Sequence, residues 1–179
     1  MNLPQQLQEY MKYPVLQLIN VNTGLPEDEI AFDALSQSVL ITFLAGLYKG
    51  TRSKEGAKMI NDETNVQHLL NTLFKDDEEL NTIGAYTNRP ISDIKLKITE
   101  LATCYMAFLH QLPGEEAGQE DFLQSLMTGQ RHEILRFVPK GLAIGKLLDD
   151  GSLEDNTNKM EGPISSLMHK IENVFSKSD

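Results

Sequence analysis

Apolar positions recur along this chain at intervals of three and four residues, and no stretch of six or more alternates strictly between apolar and polar. Those spacings follow the helical period and not the two-residue period of a strand, so an all-α fold with no sheet is expected. The clearest stripe is Phe32, Leu35, Val39, Phe43 and Leu47, which Leu40 and Leu44 broaden. Pro26 and the acids Glu27, Asp28 and Glu29 sit where a helix start favours them. Lys49 and Gly50 supply a basic last turn and a residue suited to a left-handed cap. Together they predict a helix over about 26–49 with one buried face. Pro90, Ser92 and Asp93 open a second, whose stripe is Ile94, Ile98, Leu101, Tyr105, Phe108 and Leu112 and whose end is set by Pro113 and Gly114. These helices, about 26–49 and about 90–112, would each run about 35 Å and form the spine of a multi-helix bundle.

Shorter helices are expected at about 4–12, 15–21, 53–62, 65–75, 77–84, 119–128, 131–148 and 163–176, with Pro139 kinking or splitting the one that contains it. The polar run Asp149 to Gly162 reads as a loop before a last amphipathic helix carrying Ile164, Leu167, Met168, Ile171, Val174 and Phe175. The expected organisation is therefore a helical domain over 1–148, a polar loop over 149–162 and a C-terminal helix over 163–179.

Within the first domain, a weak correspondence recurs at a separation of 64 or 65 residues. Thr23, Pro26 and Ile30 match Thr87, Pro90 and Ile94; Phe43, Leu44 and Leu47 match Phe108, Leu109 and Leu112; His68 matches His132. That would divide the domain into halves 14–84 and 85–148. A shorter echo pairs Pro90, Ile91, Ser92, Ile94, Lys97 and Ile98 with Pro163, Ile164, Ser165, Leu167, Lys170 and Ile171. Duplication accounts for both, and so does convergence of amphipathic helices opened by proline and serine.

The composition, 40% hydrophobic and 23% charged over 179 residues, is that of a globular chain able to bury a core without metal or disulfide. The single cysteine, Cys104, cannot form an internal disulfide, and Met1 to Gln6 lack the basic-then-apolar layout of a secretory signal, so a cytoplasmic location is expected. The longest strongly apolar segment, Val39 to Leu47, covers about half a membrane span. With 16 basic against 26 acidic residues, the net charge of −10 repels nucleic acid and anionic lipid, so neither is an expected partner.

Gly24 and Leu25 ahead of a helix, Leu44, Ala45, Gly46 and Leu47 near its end, and Ser53, Lys54, Glu55, Gly56 and Ala57 opening the next form a pattern. From Pro14 to Ile60 that pattern resembles a bacterial family known as domain of unknown function 937. The chain departs from the family at Lys54, where a proline is usual, and at Ile41, where a proline is common. Asp149, Asp150, Gly151 and Ser152 are similar to the family's glycine- and aspartate-rich tail. The resemblance covers about a quarter of the chain, its motifs mark helix ends and packing, and it implies no activity.

Chemical motifs are sparse. His68, His110, His132 and His169 stand too far apart for a helical or finger-type metal site. Aligning Gly151 to the sixth position of a calcium loop puts Lys146 first and Leu148 third, where neither can coordinate. Phosphate-loop, dinucleotide and nucleophile-elbow signatures are absent. Cys104 lies beside an apolar stripe and reads as a small core residue, and Asp76, Asp77, Glu78 and Glu79 read as the start of a helix with a solvated face. No catalytic residue, metal or cofactor is expected. One charge contrast stands out: Lys49, Arg52, Lys54 and Lys58 surround the turn between two helices, with Ser53 as a cap and Glu55 the acid nearby. This turn is the candidate contact for an anion or an acidic partner.

The expected function is that of a non-enzymatic helical interaction or scaffold protein, bound to a protein partner or to itself. The alternative is a small-molecule-binding or enzymatic helical domain whose site is built from dispersed polar residues. A third reading, disfavoured by charge, is a helix-turn-helix regulator over residues 26–62.

Overall fold

A computed structural model of the chain describes residues 2–19, 33–111, 120–139 and 142. Among these, seven helices and no strand are present, so the fold is all-α: α1 (Leu3–Tyr10), α2 (Ala34–Gly50), α3 (Lys54–Asn61), α4 (Val66–Leu73), α5 (Glu78–Thr87), α6 (Ile91–Gln111) and α7 (Glu120–Leu135).

α2 is the axis of the molecule. No charged residue falls between its cap at Asp33 and Lys49, every residue from Ser36 to Leu47 is buried, and the helix touches all six others. A helix without a charged face can be stable only inside, and this one is. The expected single buried face is thus corrected: Ser38, Ile41, Thr42 and Ala45, off the predicted stripe, are as buried as Val39 and Phe43. The start is corrected too. Asp33 has non-helical backbone angles and accepts the Ser36 N–H at 3.0 Å, so the helix opens at Ala34 and not near Pro26. Pro26, the acids after it and Phe32 lie outside the described residues. At 17 residues α2 is about 25 Å long, shorter than the span expected.

α6 follows its prediction closely, and it packs on α2, α4 and α5 through Ile94, Ile98, Leu101, Ala102 and Tyr105, all buried. The Tyr105 ring meets Phe43 edge-on at 5.4 Å between centroids.

Two further expectations fail for local reasons. Residues 13–18 are irregular instead of opening a helix at 15, because α1 ends in a Schellman motif. Lys12 is left-handed (φ 54°), its N–H donates to Glu9 O at 3.0 Å, and Tyr13 N–H donates to Gln8 O at 3.0 Å. The helices expected at 119–128 and 131–148 are one continuous helix, α7, that ends at Leu135, ahead of Pro139. The expected loop at 149–162 and helix at 163–176 lie outside the described residues.

α1 and α7 are tied by polar contacts: Leu3 N–H donates to the buried Gln130 Oε1 at 2.8 Å, and Asn2 Nδ2 donates to Glu133 Oε2 at 2.9 Å. No helix among the described residues is long and apolar enough to cross a membrane.

Candidate functional site

The five residues singled out at the α2–α3 turn do share one corner. Lys49 is exposed in the last turn of α2, Arg52 and Ser53 form the turn, and Lys54 and Lys58 lie on α3. The corner is tight. A Cβ added at Gly56 would stand 2.1 Å from Gly50 O, so only glycine lets the start of α3 close on the end of α2. Ser53 caps α3 by accepting the Gly56 N–H at 3.0 Å, and Gln124 of α7 donates to Arg52 O at 2.8 Å. Arg52, Lys54 and Lys58 each make a further contact of their own.

A cleft opens elsewhere, over α4, the start of α5 and the first half of α6. Its floor is Leu70, Phe74, Leu80 and Ile98, and its rim is Gln67, Asn71, Asp77, Lys95 and Thr99, around a volume of about 170 Å³. The rim is tied by hydrogen bonds within and between helices. Lys95 Nζ donates to Asp77 Oδ2 at 2.7 Å, Gln67 Nε2 donates to Asn71 Oδ1 at 3.2 Å, and Thr99 Oγ1 donates to Lys95 O at 2.7 Å. Asp77 occupies the N-cap position of α5, where an aspartate ordinarily accepts a backbone N–H of its own helix. It makes no such bond here, and its carboxylate reaches across to Lys95 instead. Behind the floor, Phe74 is fixed by α2: a Cβ added at Gly46 would meet its ring at 3.1 Å.

A third grouping gathers about Tyr13. The Lys97 ammonium lies 4.5 Å from the centre of its ring, and the Tyr13 hydroxyl is shielded from solvent with no hydrogen-bond partner among the described residues. Burial, with smaller contributions from Glu100, Cys104 and Asp33, pushes that hydroxyl well above the usual phenol range, so it stays protonated. Cys104 is a free thiol, half-buried on α6.

His68 is exposed, with Nδ1 3.6 Å from a Glu63 oxygen, and His132 is exposed on α7; the side chain of His110 and all of His169 lie outside the described residues. Among the described residues, no three histidine, cysteine or acidic side chains are placed to hold a metal ion.

The cleft was not read from the sequence. Its signal there is two interleaved pairs along α4 and its C-cap, polar Gln67 and Asn71 beside apolar Leu70 and Phe74. Which helix would face them is a tertiary matter. The geometry defines an all-α bundle wound around one buried helix, with a side-chain-sized cleft on its surface. No family model, curated protein or solved structure matches the chain.

Proposed function

We propose that this chain is a non-enzymatic helical interaction protein whose α4–α5–α6 cleft receives an apolar side chain of a protein partner. The observation that carries this reading is an apolar floor of Leu70, Phe74, Leu80 and Ile98 inside a hydrogen-bonding rim. The volume of about 170 Å³ corresponds to about six waters at ~30 Å³ each. That is below the ~300 Å³ at which clefts begin to enclose drug-sized ligands, and it suits one anchoring residue. Water over such a floor has few partners, so a side chain that displaces it gains free energy.

The test is a titration of the isotopically labelled full chain with a helical peptide bearing one leucine stripe. Amide shifts confined to residues 67–80 and 95–99, abolished by Asn71→Trp at the exposed mouth, support the reading; shifts elsewhere, or none, overturn it. Light scattering of the protein alone tells whether the partner is a second copy.

The alternative, a small-molecule or enzymatic site assembled from dispersed polar residues, has its best place at Tyr13, Asp33, Lys97, Glu100 and Cys104. The neutral phenol there is not a base.

A further inference from the structure

Resting on that reading of the cleft, we infer that the partner segment is a basic amphipathic helix, which sets an apolar anchor into the floor and lysine or arginine side chains against the α5 end of the rim. Three observations converge.

The rim is acidic where α5 begins. Asp76, Asp77 and Glu78 are exposed and Glu79 half-buried in one run, with Lys75 preceding it in the chain and Lys95 paired to Asp77. The molecule as a whole carries −10, so its far field attracts cations, and the exposed acids of this run add to it locally.

Asp77 is turned outward. By forgoing the capping bond of α5, its carboxylate stands at the mouth of the cleft, held only by Lys95. Both members of that pair are about half exposed (49% and 55%), and exposed pairs contribute little. An incoming cation can therefore share or replace Lys95 at small cost. Once the mouth is covered, the lost water strengthens the new contact.

Glu79 leaves an acceptor unfilled. Its Oε2 is shielded from solvent and has no hydrogen-bond partner, two residues along from Asp77. With no hydrogen bond to compensate it among the described residues, that oxygen adds to the negative potential over the start of α5, which a cationic partner relieves and an acidic or purely apolar one does not.

The test uses the full chain and two labelled helical peptides of about 18 residues, long enough to hold a helix. They share one leucine stripe and differ in carrying lysines or glutamates at the flanking positions. By fluorescence anisotropy the lysine peptide is expected to bind about tenfold tighter at low salt, with the ratio shrinking as screening shortens the reach of charge. Asp77→Asn combined with Glu78→Gln should bring the two affinities together while the glutamate peptide still binds. Asn71→Trp should remove both. Removing remote acids instead, by Glu9→Gln with Glu55→Gln, should leave the ratio unchanged. Equal affinities, or a preference untouched by the Asp77 and Glu78 changes, overturn the basic partner but keep the docking cleft. If neither peptide binds, the cleft reading itself fails.

Discussion

The side-chain amide of Gln37 pairs with both polar groups of the Gln17 main chain. Its Oε1 accepts the Gln17 N–H at 2.8 Å and its Nε2 donates to Gln17 O at 2.8 Å, as a neighbouring strand would. The second amide hydrogen goes to Phe137 O at 2.9 Å. One residue of the central helix therefore holds both the irregular segment after α1 and the exit of α7. Close by, Ile19 N–H donates to Arg136 O at 3.1 Å. Main-chain groups that no helix serves are served from inside the core, where a hydrogen bond is worth most and a missing one costs most.

Gln37→Leu keeps the volume and removes all three bonds, stranding a buried N–H and two carbonyls at about 1–3 kcal/mol each where water cannot reach them. A loss of about 3–5 kcal/mol in urea unfolding is expected. Gln37→Glu should be worse at pH 7, since a carboxylate faces two carbonyl oxygens, and its carboxyl should titrate above the usual range. With the folded value raised, the stability of this variant is greatest below the unfolded value and falls as pH rises through the folded one, so it should recover partly near pH 5. A midpoint unchanged in both variants would show that the three contacts contribute nothing.

α6 was legible because its stripe runs unbroken from Ile94 to Tyr105 and proline marks its start. α2 was legible as a helix but not as the centre. The spacing of Val39, Phe43 and Leu47 defines a stripe that says nothing of Gln37, Ser38 and Thr42, and the absence of charge over 15 consecutive residues, Ala34 to Tyr48, is the stronger signal of a helix buried all round. Pro26 and three acids form the more familiar opening signal in the sequence, whereas the cap of α2 is Asp33, with Ser36 three residues on. The basic corner was found as a corner. That a cleft lies where α4 meets α6 depends on residues distant in sequence.

Two glycines give opposite predictions for the same substitution. Gly56→Ala drives a Cβ to 2.1 Å from the Gly50 carbonyl oxygen, which is backbone and cannot swing away. The α2–α3 corner must open, and a loss of about 2–4 kcal/mol is expected. Gly129→Ala, inside α7, places its Cβ with nothing within 4 Å and should stabilise by about 0.5–1 kcal/mol through helix propensity. Thermal melts check both, and a gain at position 56 would contradict the close approach.

Tyr105 is fully buried, and its hydroxyl has no hydrogen-bond partner among the described residues. Burial raises its ionisation well above the ordinary range, so the group is a neutral donor with nothing to donate to. Tyr105→Phe keeps the edge-on contact with Phe43 and removes only the unsatisfied oxygen. The variant should be as stable as the parent or up to about 1 kcal/mol more so. A loss of more than about 1 kcal/mol in chemical denaturation would mean that the hydroxyl is hydrogen-bonded in solution.

Asp33 links the opening of the central helix to pH. Burial alone would raise its pKa, but hydrogen bonds from the Ser36 hydroxyl and backbone N–H, the Lys97 charge and the Leu35 N–H outweigh it, and the carboxyl is held below its usual value. A depressed folded-state value means that its stabilisation is present above the unfolded value, near 3.9, and is lost as pH falls through the folded one. Two substitutions separate cap from charge. Asp33→Ala removes both and should cost about 1 kcal/mol at pH 7, whereas Asp33→Asn keeps a good capping side chain and should cost less. The gap between parent and Asp33→Asn should be widest near neutral pH and close progressively between about pH 5 and pH 2, because the asparagine does not titrate while the parent loses its charge. Urea unfolding across that range measures it. A gap that stayed constant with pH would mean that the cap acts through its shape alone, and that the Lys97 ammonium over Tyr13 contributes nothing to Asp33.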